Sequence, residues 1–184
     1  YERIEKKLHE KVDVKFNTRK VFKSIEDQNN WFEASDKPLL SKFMNADIIN
    51  EKIEGVIADF GFGEVQKTGR IDTEKLVTSY RNYLANESKI IFEKFKYNAV
   101  QLINNTCVYK NIESSRIVFC EGFGIKQNPF FNNLPLKEAK GELLTIHAPE
   151  LEIDFLLKST LFVLPLGNHL YKVGATFNWS DKTL

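Results

Sequence analysis

The residues in this chain best placed to do chemistry sit at a glycine turn and in a small aromatic set. Glu121-Gly122-Phe123-Gly124 directly follows the apolar run from Arg116 to Cys120. A glycine just after such a run lets backbone approach a ligand closely, and an apolar run without alternation suits a strand covered on both faces. Neither this G-x-G unit nor Gly61-Phe62-Gly63 continues to the third glycine of G-x-G-x-x-G, which holds a dinucleotide pyrophosphate at a helix N-terminus. His9, His147 and His169 lie far apart, with no cysteine or carboxylate at metal-ligand spacing, so surface or hairpin positions are expected rather than ligation. Cys107 and Cys120 form neither a metal spacing nor a disulfide framework, and reduced thiols at apolar positions of a cytoplasmic protein are expected. There is no G-x-S-x-G nucleophile motif and no P-loop. Asp59, Glu64 and Asp72 read as loop or cap acids. Aromatics and lysines interleave from Phe92 to Tyr97, but in a strand that alternation gives one buried and one wet face rather than an RNA platform.

The elements that must position these residues follow from periodicity. Tyr1, Ile4 and Leu8 recur at helical spacing, after which Val12, Val14 and Phe16 alternate as in a strand. From Glu26 to Asn45 a polar segment carries Trp31, Phe32, Leu39, Leu40 and Phe43, and Asp36 with Pro38 offers a helix start, so two short helices are expected. Ile53–Ile57 and Gly63–Gln66 read as strands around a turn at Asp59 to Gly61. Asp72 can cap a helix whose Leu76, Tyr80 and Leu84 share a face, with Glu74 at the positive end of its dipole. Lys89–Phe95 and Val100–Tyr109 read as a strand pair, and Arg116–Cys120 as a buried strand. Phe162–Pro165 and Tyr171–Thr176 flank Gly167-Asn168, the chemistry of a type II′ hairpin turn.

Composition bounds the class. The 184 residues are enough for one or two domains at ~100–200 residues each. Hydrophobic content of 42% with 28% charge is that of a globular chain, and no apolar run approaches the ~18 residues of a membrane span. A net charge of +1 provides no global field for nucleic acid or membrane, and the basic residues within 1–23 read as a solvated face.

Several segments carry a family resemblance. They are the strand and Cys120-Glu121-Gly122 turn leading to Lys140-Gly141-Glu142 and a further apolar strand, the Phe162–Thr176 hairpin, and Gly69-Arg70-Ile71-Asp72 before a helix. Together they resemble the D-amino-acid oxidase and glycine oxidase family of FAD-dependent oxidoreductases, over roughly residues 12–184 and most strongly after Gly69. The resemblance implies an α+β fold, with a mostly antiparallel substrate-domain sheet and an incomplete part of a Rossmann-like FAD domain. Residues 12–66 and 142–179 would build the sheet; 69–95 and 116–141 would supply FAD-domain elements. It implies oxidation of a small-molecule amine or amino acid by hydride transfer to flavin, chemistry that rests on positioning and desolvation rather than an acid–base triad.

By the same resemblance, Phe162, Phe177 and Trp179 would face substrate, although sheet core is an equal reading for all three. Phe162 stands where relatives often carry Tyr, so a hydroxyl for a substrate carboxylate would be absent. Cys120, Glu121 and Gly122 would approach FAD, with Lys96 and Tyr97 passing backbone by the adenine. Glu121 departs from the small residue usual there, so its carboxylate must turn from the pyrophosphate or meet a cation. Lys140-Gly141-Glu142 reads as a structural crossover. Lacking the N-terminal G-x-G-x-x-G segment, the chain is expected to be an internal piece of a cytoplasmic protein that binds little FAD alone. Its expected partners are the rest of its own polypeptide and, through exposed strand edges, itself, but neither a membrane nor nucleic acid. A non-catalytic α+β ligand-binding or interaction module and a tRNA-modifying FAD oxidase relative are the alternatives.

Overall fold

The computed structural model describes residues 2–137 and 139–180. In chain order the elements are α1 (Glu2–Leu8), β1 (Asp13–Val21), α2 (Ile25–Ser35), β2 (Phe62–Ile71), α3 (Thr73–Asn86), β3 (Val100–Ile103), β4 (Thr106–Tyr109), β5 (Ile112–Ser114), β6 (Leu143–His147), β7 (Leu156–Lys158), β8 (Phe162–Gly167) and β9 (Leu170–Gly174). They fall into two units. One comprises the residues up to Lys89 together with Gly141–Asn178, and the other Ile90–Lys140 with the residues from Trp179. The expected α+β class is present, with a mixed sheet in the first unit and an antiparallel one in the second.

The first unit is a six-stranded sheet in the order β2-β1-β7-β8-β9-β6. β1 pairs antiparallel with β2 and parallel with β7, while β7–β8, β8–β9 and β9–β6 are antiparallel. Helix α1 ends at Leu8, before His9 at φ 53°, and Glu5 within it accepts hydrogen bonds from the Val12 and Asp13 N–H groups at 2.6 and 3.0 Å, which ties the helix to the start of β1. Those backbone donors, Asp13 first, hold the Glu5 carboxyl below its ordinary range. Helix α2 is capped by Ser24, which accepts from the Asp27 N–H at 3.2 Å, and it delivers Trp31 onto β2. Gly63 is the reason Trp31 fits there: a Cβ would lie 2.5 Å from Trp31 Cε2 and 2.6 Å from Phe22 Cζ. As the sequence predicts, Asp72 caps α3, accepting from the Lys75 N–H at 3.0 Å. The core collects Val21, Phe62, Ile153, Phe155, Leu157 and Tyr171, with Ile49, Ile53, Val56 and Val163 packed against it.

Four local expectations change. The segment after Asp36 forms successive turns through Met44 rather than a second helix, because Asp36 closes α2 and Pro38 follows at once. Residues 53–57 turn at Glu54-Gly55 and supply Ile53 and Val56 to the core without strand pairing. Within Val100–Tyr109 the chain folds back as the β3–β4 hairpin, since Asn104 and Asn105 both take positive φ, at 50° and 62°, as a type I′ turn requires. The β8–β9 hairpin exists, but its loop is Asn168-His169, with φ of 51° and 55°; Gly167, at φ 97°, remains paired with Leu170. That is type I′ geometry one residue later than the expected II′ turn, the offset arising from the register shift between Pro165 and Gly167.

Candidate functional site

In the second unit the structure brings together residues that the sequence placed at one ligand. Lys89–Phe95 and Arg116–Cys120 are not strands, because neither finds a partner strand, and both instead feed an aromatic cluster. Ile91, Phe92 and Val118 point to solvent, Val118 being 80% exposed, so the expected two-sided burial of 116–120 is absent. Phe95 stacks on Tyr109 at 4.4 Å between ring centres, and Phe119 meets Phe95 edge-on at 5.6 Å and stacks with Phe130 at 5.9 Å. Against these rings the Tyr97 hydroxyl donates to Glu121 Oε1, while Asn128 Nδ2 donates to Glu121 Oε2 at 2.7 Å. Asn128 is fully buried, and its Oδ1 accepts from the Phe130 N–H at 2.9 Å. The Glu121 carboxylate thus meets two neutral donors rather than a cation.

The hydrogen bond to Glu121, then desolvation, pushes the Tyr97 phenol above its ordinary value. A raised value means that this contribution to stability is present below ~10, the unfolded tyrosine range, and is lost as pH rises through the folded value. The Lys96 N–H donates to the Tyr109 hydroxyl at 3.2 Å, and Tyr109 in turn donates to Glu93 at 3.2 Å. Gly122 takes φ +54°, with no atom within 4 Å of where a Cβ would stand, so its backbone is open to a ligand. Cys120 is an exposed free thiol. Sequence reasoning missed Asn128; the available signal was Asn128-Pro129, an Asx-turn dipeptide whose side chain bonds the backbone two residues on.

In the first unit Phe162 opens β8, paired with Lys158 and Gly174; it is half-buried, and the Lys158 ammonium lies 6.0 Å from its ring centre. Phe177 follows β9 and is 73% exposed. Trp179, 62% exposed, is assigned to the second unit. Neither ring is therefore part of the core of the described residues. Two arginines of the first unit take on more than the sequence assigned them. Arg19 ion-pairs with Glu51 at 2.6 Å and Glu64 at 3.5 Å and lies 4.1 Å from the Phe155 ring centre, so it is committed to structure rather than to a solvated face. Arg70 has a buried Nε without a hydrogen-bond partner among the described residues, beside a cleft of about 550 Å³ that Lys15, Lys67 and Gly69 also line.

A dinucleotide needs convergent backbone N–H groups for its pyrophosphate. Here α2 and α3 begin with Ser24 and Asp72, whose side chains take an N-terminal N–H, and Glu26, Asp27 and Glu74 add negative charge in the first turns. The described residues therefore fit a close-approach turn at Gly122 but not a pyrophosphate cradle. No helix of the described residues is long and apolar enough to cross a membrane, and no group of three or more histidine, cysteine or acidic side chains among them could hold a metal ion.

Comparison with known proteins defines the fold. No family model matches the sequence. The structure superposes on glycine oxidase from Geobacillus kaustophilus with a TM-score of 0.66 over 99% of this chain, at 12% identity. The chain spans about half of that protein, 53% of its length. The shared property is a glycine oxidase-like fold.

Proposed function

We propose that this chain forms the sheet-bearing part of an FAD-dependent oxidoreductase that oxidises an amine or amino acid by hydride transfer to flavin. One observation carries the reading: nearly the whole chain follows the path of half of glycine oxidase. In this reading 12–66 and 142–179 serve the substrate side, 69–95 and 116–141 serve the dinucleotide side, and the pyrophosphate is held by sequence outside these residues. The half-buried ring of Phe162 on β8 would supply an apolar wall, and without a hydroxyl at that position it gives a substrate carboxylate no donor. The Gly122 backbone would approach the cofactor. A second reading, a ligand-binding or interaction module without flavin, is favoured by one specific observation, the engagement of both Glu121 oxygens by Tyr97 and Asn128.

Visible absorption spectra separate the two. Protein expressed from the complete reading frame is expected to show flavin bands, and the 184-residue chain alone none. A folded long form without flavin would sink the oxidoreductase reading, and stoichiometric flavin on the short chain would contradict the account of the pyrophosphate site. In the flavin-bearing protein, Phe162→Ala is expected to slow turnover roughly 10–100-fold through loosened substrate positioning, with flavin content retained. Parallel loss of flavin, folding and activity would instead make Phe162 a packing residue.

A further inference from the structure

The sheet of the first unit ends differently at its two edges. At β2, Met44 and Ile49 form bridges to Val65 and Phe62, and the Gln66 N–H donates to the Phe43 carbonyl at 2.7 Å, so much of that edge is covered. At the other end β6 pairs only with β9 among the described residues, and every residue from Leu143 to His147 is exposed. Native edges are commonly blunted by charge, proline or a bulge. The β6 sequence, Leu-Leu-Thr-Ile-His, has no Lys, Arg, Asp, Glu or Pro, and its register with β9 runs without a shift.

Which backbone groups face outward is fixed by the bonds at the strand ends. The Ala148 N–H donates to the His169 carbonyl at 2.9 Å, and Glu142 accepts from the Thr176 N–H at 3.2 Å. Alternation along an antiparallel ladder then turns Leu144 and Ile146 toward β9 and leaves the N–H and C=O groups of Leu143, Thr145 and His147 on the open edge. A two-fold axis through Thr145 sets Thr145 opposite its own copy and Leu143 opposite His147 of the second copy. These are hydrogen-bonded pairs in which every outward group on both copies finds a partner. The same register opposes Leu144, 68% exposed, to Ile146 of the second copy, 39% exposed, in the close non-hydrogen-bonded pairs where side-chain contact is strongest. Axes through Leu144 or Ile146 leave one outward residue of each strand beyond the paired segment. The strand is thus self-complementary in one register, the condition for an isologous interface.

We propose that β6 is a self-association edge that docks a second copy of this chain antiparallel about Thr145, joining the two sheets into one. The inference does not depend on the flavin reading. A five-residue strand pair buries less than the ~1,200 Å² of stable interfaces, so the expected dissociation constant is weak, on the order of 100 µM.

Sedimentation equilibrium of the 184-residue chain over a concentration series tests this. A monomer–dimer equilibrium is expected. Thr145→Lys, which sets two ammonium groups face to face, should weaken it at least roughly tenfold while near-ultraviolet circular dichroism stays unchanged. Should that variant misfold, Leu144→Cys with Ile146→Cys in a Cys107→Ser, Cys120→Ser background decides, because these positions face each other across the axis in non-hydrogen-bonded pairs, whose close Cβ atoms permit a disulfide. A covalent dimer under mild oxidation supports the edge pairing. A monomer at all concentrations, or a dimer indifferent to Thr145→Lys with no cross-link from the Leu144→Cys, Ile146→Cys chain, overturns it.

Discussion

Phe62→Ala is expected to destabilise the first unit by about 3–5 kcal/mol, the cost of emptying a core site that cannot collapse. Phe62 is 1% exposed and sits among Val21, Ile153, Phe155, Leu157 and Tyr171. Its backbone is fixed on both sides, paired with Val21 on β1 and bridged to Ile49 by reciprocal N–H···O bonds of 2.9 Å. The neighbouring chain therefore has little freedom to move into the cavity. Urea unfolding followed by tryptophan fluorescence reports the change, because buried Trp31 packs on the adjoining Gly63. A loss under about 1 kcal/mol would mean that the loop carrying Ile49, Ile53 and Val56 refills the space, and the core would then be more plastic than its packing implies.

Asn128→Ala is expected to remove about 1–3 kcal/mol from the second unit. The substitution strips Glu121 of one of two donors and leaves the Phe130 N–H without its acceptor, at a position whose own side chain is fully buried. Leaving buried polar groups unpaired costs more than a hydrogen bond gains, so one small side chain is expected to outweigh any single ring of the cluster. Asn128→Asp separates the contributions: it keeps the Phe130 contact but sets a second carboxylate against Glu121, so it should be at least as damaging at neutral pH and partly recover in acid as one of the pair takes a proton. Thermal unfolding read by near-ultraviolet circular dichroism of Tyr97 and Tyr109 measures both. Equal, small effects at both pH values would show that the Tyr97–Glu121–Asn128 arrangement does not hold the unit together.

Local signals were legible where a short stretch decides its own structure. Asp72 before a helical face caps α3, and Val12–Phe16 alternates because β1 is a strand. The Phe162–Thr176 segment declares a hairpin, and only its turn moved by one residue, because the register shift beside Pro165 has no sequence mark of its own. Apolar runs were harder. Arg116–Cys120 and Lys89–Phe95 have strand composition, but a strand needs a neighbour to satisfy its backbone, and each segment gives its rings to a cluster instead.

For the candidate site, the sequence by itself determined that no pyrophosphate loop is present and that a glycine turn follows Glu121, since both depend on residues adjacent along the chain. Only the tertiary structure decided what surrounds them. Tyr97, Glu121 and Asn128 converge because their segments wrap the same rings, and the parallel pairing of β1 with β7 joins stretches remote in sequence. The open edge of β6 is equally a tertiary fact. An isolated Leu-Leu-Thr-Ile-His reads as an ordinary strand, and its exposure follows from standing last in a sheet whose order is set by long-range packing rather than by local propensity.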